Sequence, residues 1–241
     1  MAYPERIIPD ETEPGIVALH LKRYEFALEW CAGRDVLDAG CGTGYGSALL
    51  ARAARRVVGV DVSEDAIAYA KQRYGTSGVE FLTADVTQLP LADASFDVVC
   101  SFETIEHLEE PALLVAECAR LLRPHGVLLV STPRVDVTTR TPRNPFHRVE
   151  LAAADFAELL ERRFGTVTLY GQRRLQTRRH RALQRLDVLG LRRKLPSLRH
   201  GAARLTGTRA TDEVTTDDVV ITRDVLDGAS EVLAVCTGAH P

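Results

Sequence analysis

The stretch VLDAGCGTGYGSALLA, residues 36–51, sets a short apolar run directly against four glycines in seven positions, Gly40, Gly42, Gly44 and Gly46. The apolar run reads as a buried strand and the residues after the glycines as a helix, so the chain must turn sharply between them. Glycine at that density also lets backbone come close to a ligand, because no Cβ stands in the way. A strand, a glycine-rich turn and a helix form the opening half of an α/β unit and predict more of the same downstream.

The rest of the chain follows that pattern. Residues 15–32 read as a helix, with Ile16, Leu19, Tyr24, Phe26, Ala27 and Trp30 on a broad apolar face. Strands are expected at 35–39, 56–61, 79–83, 96–101 and 126–131, and helices at 45–54, 64–74 and 111–122. Ser63 is a good N-cap, with Glu64 and Asp65 at the positive end of the helix it opens. FDVVCS and GVLLVS are apolar throughout, as strands covered on both faces must be. After Pro133 comes an irregular stretch with Pro142, Pro145 and His147, then a helix at 151–164 and strands at 166–170 and 231–237. No repeat or long linker divides the 241 residues, so a single domain is expected over 1–241. Its parts are an N-terminal helical region (1–33), a core (34–133) and a final region (134–241) with an insertion at 172–228.

Composition narrows the class. The chain is 45% hydrophobic and 26% charged, with no apolar run near the roughly 20 residues of a membrane span. The acidic, proline-bearing start MAYPERIIPDETEPG lacks the basic and apolar regions of a signal peptide. Five cysteines, an odd number without a CxxC pair, fit reduced thiols in a cytoplasmic protein better than a disulfide or zinc framework.

Glycine-rich turns hold several ligands, and the flanking residues discriminate among them. A dinucleotide turn of G-x-G-x-x-G form would need glycine at 45, where Tyr45 stands. A phosphate-binding P-loop ends in Lys-Ser/Thr, yet no lysine lies between Lys22 and Lys71. Asp38, two residues before Gly40, would repel a pyrophosphate but suits an ammonium group. Backbone N–H groups at the start of the next helix suit a carboxylate. Asp61 ends the second strand, where it can bind ribose hydroxyls, and Asp85 follows the third, where it can accept from an adenine amine. Three acids at three strand ends share the edge where open α/β sheets bind ligands. Helix capping accounts for any one of them more easily than for all three beside the glycine turn.

The segments VLDAGCGTGYG, VVGVDVSEDAIAYAK, VEFLTADVTQLPLADASFDVVCSFETIEHLEEP and LLRPHGVLLVSTP together resemble the class I, Rossmann-like S-adenosylmethionine-dependent methyltransferases from Arg34 to Pro133. The resemblance implies a doubly wound seven-stranded sheet, its last strand antiparallel, with 231–237 in that place. It also implies S-adenosylmethionine as methyl donor, S-adenosylhomocysteine as product, and the helix containing RYEFA (23–27) as a lid. Carried over by position, Asp38 and the Gly40, Cys41, Gly42 and Gly44 backbone hold the methionine part. Asp61 takes the ribose with Val62 beside it, Asp85 and Val86 the adenine, and Ser101 and Phe102 line the methyl-transfer end. Tyr24 and His20 can face the site from the lid, with core packing the stronger role for Tyr24.

The acceptor must be read elsewhere. The Asn/Asp-Pro-Pro-Tyr sequence that amine- and amide-methylating members often carry after the fourth strand is missing. SFETIEHL stands there and, with TPRNPFHRVEL (141–151), resembles small-molecule O-methylating branches, quinone and sugar types included. A hydroxyl acceptor must lose a proton, and His147 is the candidate base, with Glu103 and His107 as a second, orienting pair. A structural role for His147 or His107 competes with that assignment. Glu103, His107 and His147 can also be imagined around a metal, but nothing in their spacing requires one.

Residues 172–210 carry a net charge of +11 against −14 for the remainder. Leucines 183, 186 and 189 recur at helical spacing between arginines, which fits an amphipathic helix pair, solvated or forming a homodimer. Contact with an anionic acceptor or a membrane surface is a second reading, and nucleic acid a third that the acidic remainder disfavours. The expected function is O-methylation of a small molecule or saccharide of natural-product or cell-envelope type. N-methylation of an amino sugar, RNA methylation and a catalytically silent cofactor-binding protein are the alternatives.

Overall fold

The computed structural model describes residues 6–175 and 214–240. Helix α1 (Pro14–Cys31) precedes β1 (Asp35–Ala39), α2 (Tyr45–Leu50), β2 (Arg56–Asp61), α3 (Glu64–Tyr74), β3 (Val79–Thr83) and β4 (Phe96–Phe102). Then come α4 (Pro111–Leu121), β5 (Leu122–Pro133), α5 (Ala153–Glu161), β6 (Phe164–Arg174), β7 (Val219–Arg223) and β8 (Glu231–Ala239). The strands form one sheet in the order β3-β2-β1-β4-β5-β8-β6-β7. β1 to β5 run parallel, and β8 pairs antiparallel with both β5 and β6.

Local chemistry accounts for the elements. The side chain of Ser63 accepts a hydrogen bond from the Ala66 N–H and caps α3, which has Glu64 and Asp65 in its first turn and Lys71 and Arg73 in its last. Pro111 opens α4 at a position where its missing N–H costs nothing. Consecutive strand residues point to opposite faces, and both faces are covered. Val36, Val57, Val98 and Leu129 pack on the face holding Tyr24, Ala27 and Ile67, whereas Leu37, Val58, Val99 and Leu128 pack with Leu114, Cys118 and Phe156 on the other. Each such side chain, fully buried, contributes about 1.5–3 kcal/mol. All five cysteines are buried and free.

The strand count is eight among the described residues, not seven. The additional strand is β7, which pairs antiparallel with β6 over Tyr170–Arg174 inside the segment expected to be an insertion. VVITR is β-branched and apolar enough to form a strand, but its alternation is short and it borders the arginine-rich run. Two helices are shorter than expected, α2 ending at Leu50 and α5 at Glu161. Phe164 belongs instead to β6, its side chain fully buried in the core. Most of the basic stretch 172–210 lies outside the described residues, and with it the leucine-spaced helices. No helix of the described residues is long and apolar enough to cross a membrane.

Candidate active site

The sheet reverses its order between β1 and β4, since β2 lies to one side of β1 and β4 to the other. Ligands of open α/β sheets bind at such a switch point, beyond the carboxyl ends of the strands. A cavity of about 650 Å³ opens there. Its wall includes Gly40, Cys41, Gly42, Asp61, Val62, Asp85, Val86, Phe102, Glu103, His107 and His147, and also His20 and Tyr24 from α1.

The glycine turn is held from several sides. The N–H groups of Gly40 and Cys41 both donate to the Val60 carbonyl, and Gly42 N–H donates to the Asp61 carboxylate at 2.9 Å. Gly40 has φ of +86°, and a Cβ there would stand 2.2 Å from Oγ1 of Thr104, so only glycine lets the loop after β4 lie against the turn. Thr43 donates to the Ile7 carbonyl and Arg6 to Ser63, which lays the residues before α1 across the turn.

Asp38 and Ser101 are placed differently from the cavity wall. Asp38 is fully buried beneath the turn, accepting from Ser47 Oγ at 2.6 Å and Tyr24 Oη at 3.2 Å. Burial pushes its carboxyl up to about 7, against the pull of those two hydroxyls. The Ser101 hydroxyl donates to the Ala39 carbonyl and ties β4 to β1. Gly44, the left-handed N-cap of α2, packs where a Cβ would meet Ala70 and Phe81 at 2.8 Å. Tyr24 holds Asp38, stacks edge-on against Phe102 and Tyr45, and still reaches the cavity, so packing and site roles coincide in one residue.

Asp61 also accepts from the Ser63 N–H, while Asp85 is exposed and accepts from Thr87. The donor set suits a cationic, adenosine-bearing cofactor. The carboxylates of Asp61 and Asp85 and the aromatic rings of Tyr24, Tyr45 and Phe102 all line the cavity.

At the far end, two segments distant in sequence come together. The Glu106 carbonyl accepts from the N–H groups of Arg148 and Val149, which fastens 144–150 to the turn at Ile105–His107. The imidazoles of His107 and His147 stand edge to face, their centroids 5.0 Å apart. His147 Nδ1 lies 2.7 Å from the Glu150 carboxylate, and Asn144 Nδ2 lies 3.0 Å from His147 Nε2. His107 Nδ1 lies 3.0 Å from the Phe146 carbonyl. Glu103 sits at φ of +52°, a region that side chains other than glycine seldom occupy, and accepts from Ser131 Oγ at 2.7 Å.

Three charged residues here escaped the sequence reading. Glu150 looks like one acid among many until it meets His147. Glu106 is 2% exposed, its carboxyl pushed well above the usual range by burial and by neighbouring Glu103. Arg23 is buried with no hydrogen bond to its guanidinium among the described residues, and lies 3.8 Å from Glu231. The alternation of Glu and His in ETIEH was the available signal for Glu106, but a short helix would present the same residues to solvent.

A family model described as a methyltransferase domain matches residues 37–130. A probable S-adenosylmethionine-dependent methyltransferase of Mycolicibacterium smegmatis is 48% identical over 161 residues, covering 65% of this chain and 62% of that protein. A ubiquinone biosynthesis O-methyltransferase of Methylococcus capsulatus is 38% identical over 129 residues, 52% of this chain and 54% of its own. The chain thus spans less than two thirds of these relatives. Among solved structures, a methyltransferase of Thermotoga maritima, described as a possible histamine N-methyltransferase, aligns over 95% of both chains with a TM-score of 0.62 at 16% identity, a likeness of fold. The fold, the glycine turn with its strand-end acids and these relatives agree: the chain carries a class I, Rossmann-like methyltransferase domain whose cofactor is S-adenosylmethionine.

Proposed function

We propose that the chain transfers the methyl group of S-adenosylmethionine to a hydroxyl of a small-molecule acceptor, a saccharide of natural-product or cell-envelope type being the preferred class. The observation that carries this is the His147–Glu150 pair at the acceptor end of the cofactor cavity. Bound S-adenosylmethionine supplies a methyl carbon activated by its sulfonium. Methyl transfer then needs an acceptor held in line and, for a hydroxyl, a group that takes its proton.

The His147 ring meets that need. Donation of Nδ1–H to Glu150 leaves the lone pair on Nε2, where an acceptor hydroxyl takes the place of the Asn144 amide, and the carboxylate fixes the ring and stabilises the imidazolium that forms. Asp38, Asp61, Asp85 and the glycine turn hold the donor, Phe102 and Tyr24 shield the methyl end from water, and Glu103 with His107 borders the acceptor. The likeness to an O-methyltransferase supports the reading, as does the cavity volume, which falls in the range of small-molecule sites.

The test measures S-adenosylhomocysteine release across a panel of alcohols, phenols and sugars. His147→Ala should lower kcat about 100- to 10,000-fold while cofactor affinity holds. Turnover that survives that substitution unchanged overturns the base assignment, and release with amines alone overturns O-methylation.

A further inference from the structure

We propose that Glu106, His107 and His147 form a binding site for a divalent first-row transition ion of the Mn²⁺, Co²⁺ or Zn²⁺ kind, with its open side toward the acceptor. Each of the three residues offers a ligand atom, and these atoms all lie within 4.8 Å of one another. Ligands about 2.1 Å from a common ion stand roughly 3–3.5 Å apart, so small side-chain rotations close the set.

A second observation is independent of that proximity. The Phe146 carbonyl can only accept, so His107 carries its proton on Nδ1 and its lone pair on Nε2. The Glu150 carboxylate imposes the same tautomer on His147, whose Nε2 accepts from the Asn144 amide, so a metal ion there takes the place of that donor. Both rings thus carry their lone pair on Nε2. Histidines that bind metals nearly always donate their other N–H to a carboxylate or a backbone carbonyl, and here one ring has each. The third member, Glu106, is a buried carboxyl group whose hydrogen-bond partner is Thr132 Oγ1 at 3.3 Å and which forms no ion pair among the described residues. Two imidazoles and one carboxylate favour a transition ion over Mg²⁺ or Ca²⁺, which prefer all-oxygen shells.

Three protein ligands leave positions open, as in catalytic rather than structural centres. The binding stands on its own, whereas its chemical role rests on the hydroxyl-methylation reading above. With the ion in place, His147 is a ligand and the ion takes over the task given to its lone pair. The acceptor oxygen coordinates the ion, and its O–H bond breaks with the proton going to water. An oxygen lone pair then forms the bond to the methyl carbon as the C–S bond breaks with its electrons staying on sulfur. The negative charge of the oxygen and the positive charge of the sulfonium cancel, leaving an ether and a thioether.

The experiment titrates the full chain, free of any histidine tag and stripped by a chelator, with Co²⁺ while visible absorption is followed. One equivalent with d–d bands of low coordination number is expected, displaced by Zn²⁺ and not by Mg²⁺. His107→Ala and His147→Ala should each weaken binding at least tenfold, and Glu150→Gln roughly 10-fold, with unchanged far-ultraviolet circular dichroism. These residues are half-buried, so the test does not depend on a Glu106 variant folding. A folded chain that binds S-adenosylmethionine but gives no cobalt bands overturns the metal site and leaves the methyltransferase reading intact. Equal binding by the histidine variants overturns it as well. Stoichiometric cobalt without methylation of any alcohol overturns the hydroxyl reading alone.

Discussion

The two ends of β1 carry an aspartate each, three residues apart, and the protein treats them oppositely. Asp35, at the amino end, meets Arg55 at 2.7 Å and Arg123 at 2.9 Å, with Asp97 of β4 joined to the same arginines. Its hydrogen bond to Arg55, helped by Arg123, holds its carboxyl down at about 2. Asp38, at the carboxyl end, has only two hydroxyls for partners, and burial holds it up at about 7. One edge of the sheet has its charge neutralised within the fold. At the other end no ion pair reaches the acid among the described residues. The same residue type on the same strand is held ionised at one end and raised by burial at the other because of what its neighbours supply, and under the proposed function the second answers the cofactor's ammonium.

That contrast can be broken by substitution. Asp38→Asn should weaken S-adenosylmethionine about 100-fold by calorimetry, at the upper end of what a charged hydrogen bond is worth, while Asp35→Asn leaves affinity unchanged. Equal losses in both would show that Asp38 acts through the fold alone. Asp61→Ala should weaken both S-adenosylmethionine and S-adenosylhomocysteine by roughly 10- to 100-fold, since the product keeps the ribose.

The pH dependence sharpens the contrast, because the two aspartates have opposite signs. A carboxyl raised to about 7 favours the apo protein while protonated, so its contribution to stability declines as pH rises from about 4 to about 7. An ammonium-bearing ligand binds the ionised form. Cofactor affinity should therefore climb between pH 6 and 8, by up to about tenfold per unit below 7, with proton release seen in buffers of different ionisation heat. Asp38→Asn should flatten that profile. A carboxyl depressed to about 2 behaves conversely, adding stability above about 4 that is lost as pH falls toward 2. Asp35→Asn should lower the melting temperature at pH 7 by about 2–4 °C, for a solvent-screened loss of under about 1 kcal/mol. It should also soften the acid limb of unfolding.

The parallel half of the sheet was legible residue by residue. Asp35–Ala39, Arg56–Asp61 and Val79–Thr83 are strands as their apolar runs indicate, and Ser63 caps α3. These signals are local, because a strand buried on both faces must be apolar throughout and a cap lies next to its helix. Val219–Arg223 was not legible, since it follows the basic stretch with no glycine or proline turn signal to set it apart and its identity as a strand comes from β6 beside it. At the site, Gly40, Gly42 and the acids at 61 and 85 stand on the cavity wall. Asp38, Gly44 and Ser101 lie behind it, bracing the turn and the strand ends.

The sequence by itself determined the doubly wound architecture, the glycine turn and the chemistry of the donor, because each is written in neighbouring residues and in the period of apolar side chains. Only the tertiary structure decided which carboxylates are paid in arginine and which stand open. It also decided that Glu106, His107, Asn144, His147 and Glu150 form one cluster. Those groups come from two loops about 40 residues apart. Their contact depends on backbone hydrogen bonds from Arg148 and Val149 to Glu106, and that pairing has no local signature in the chain.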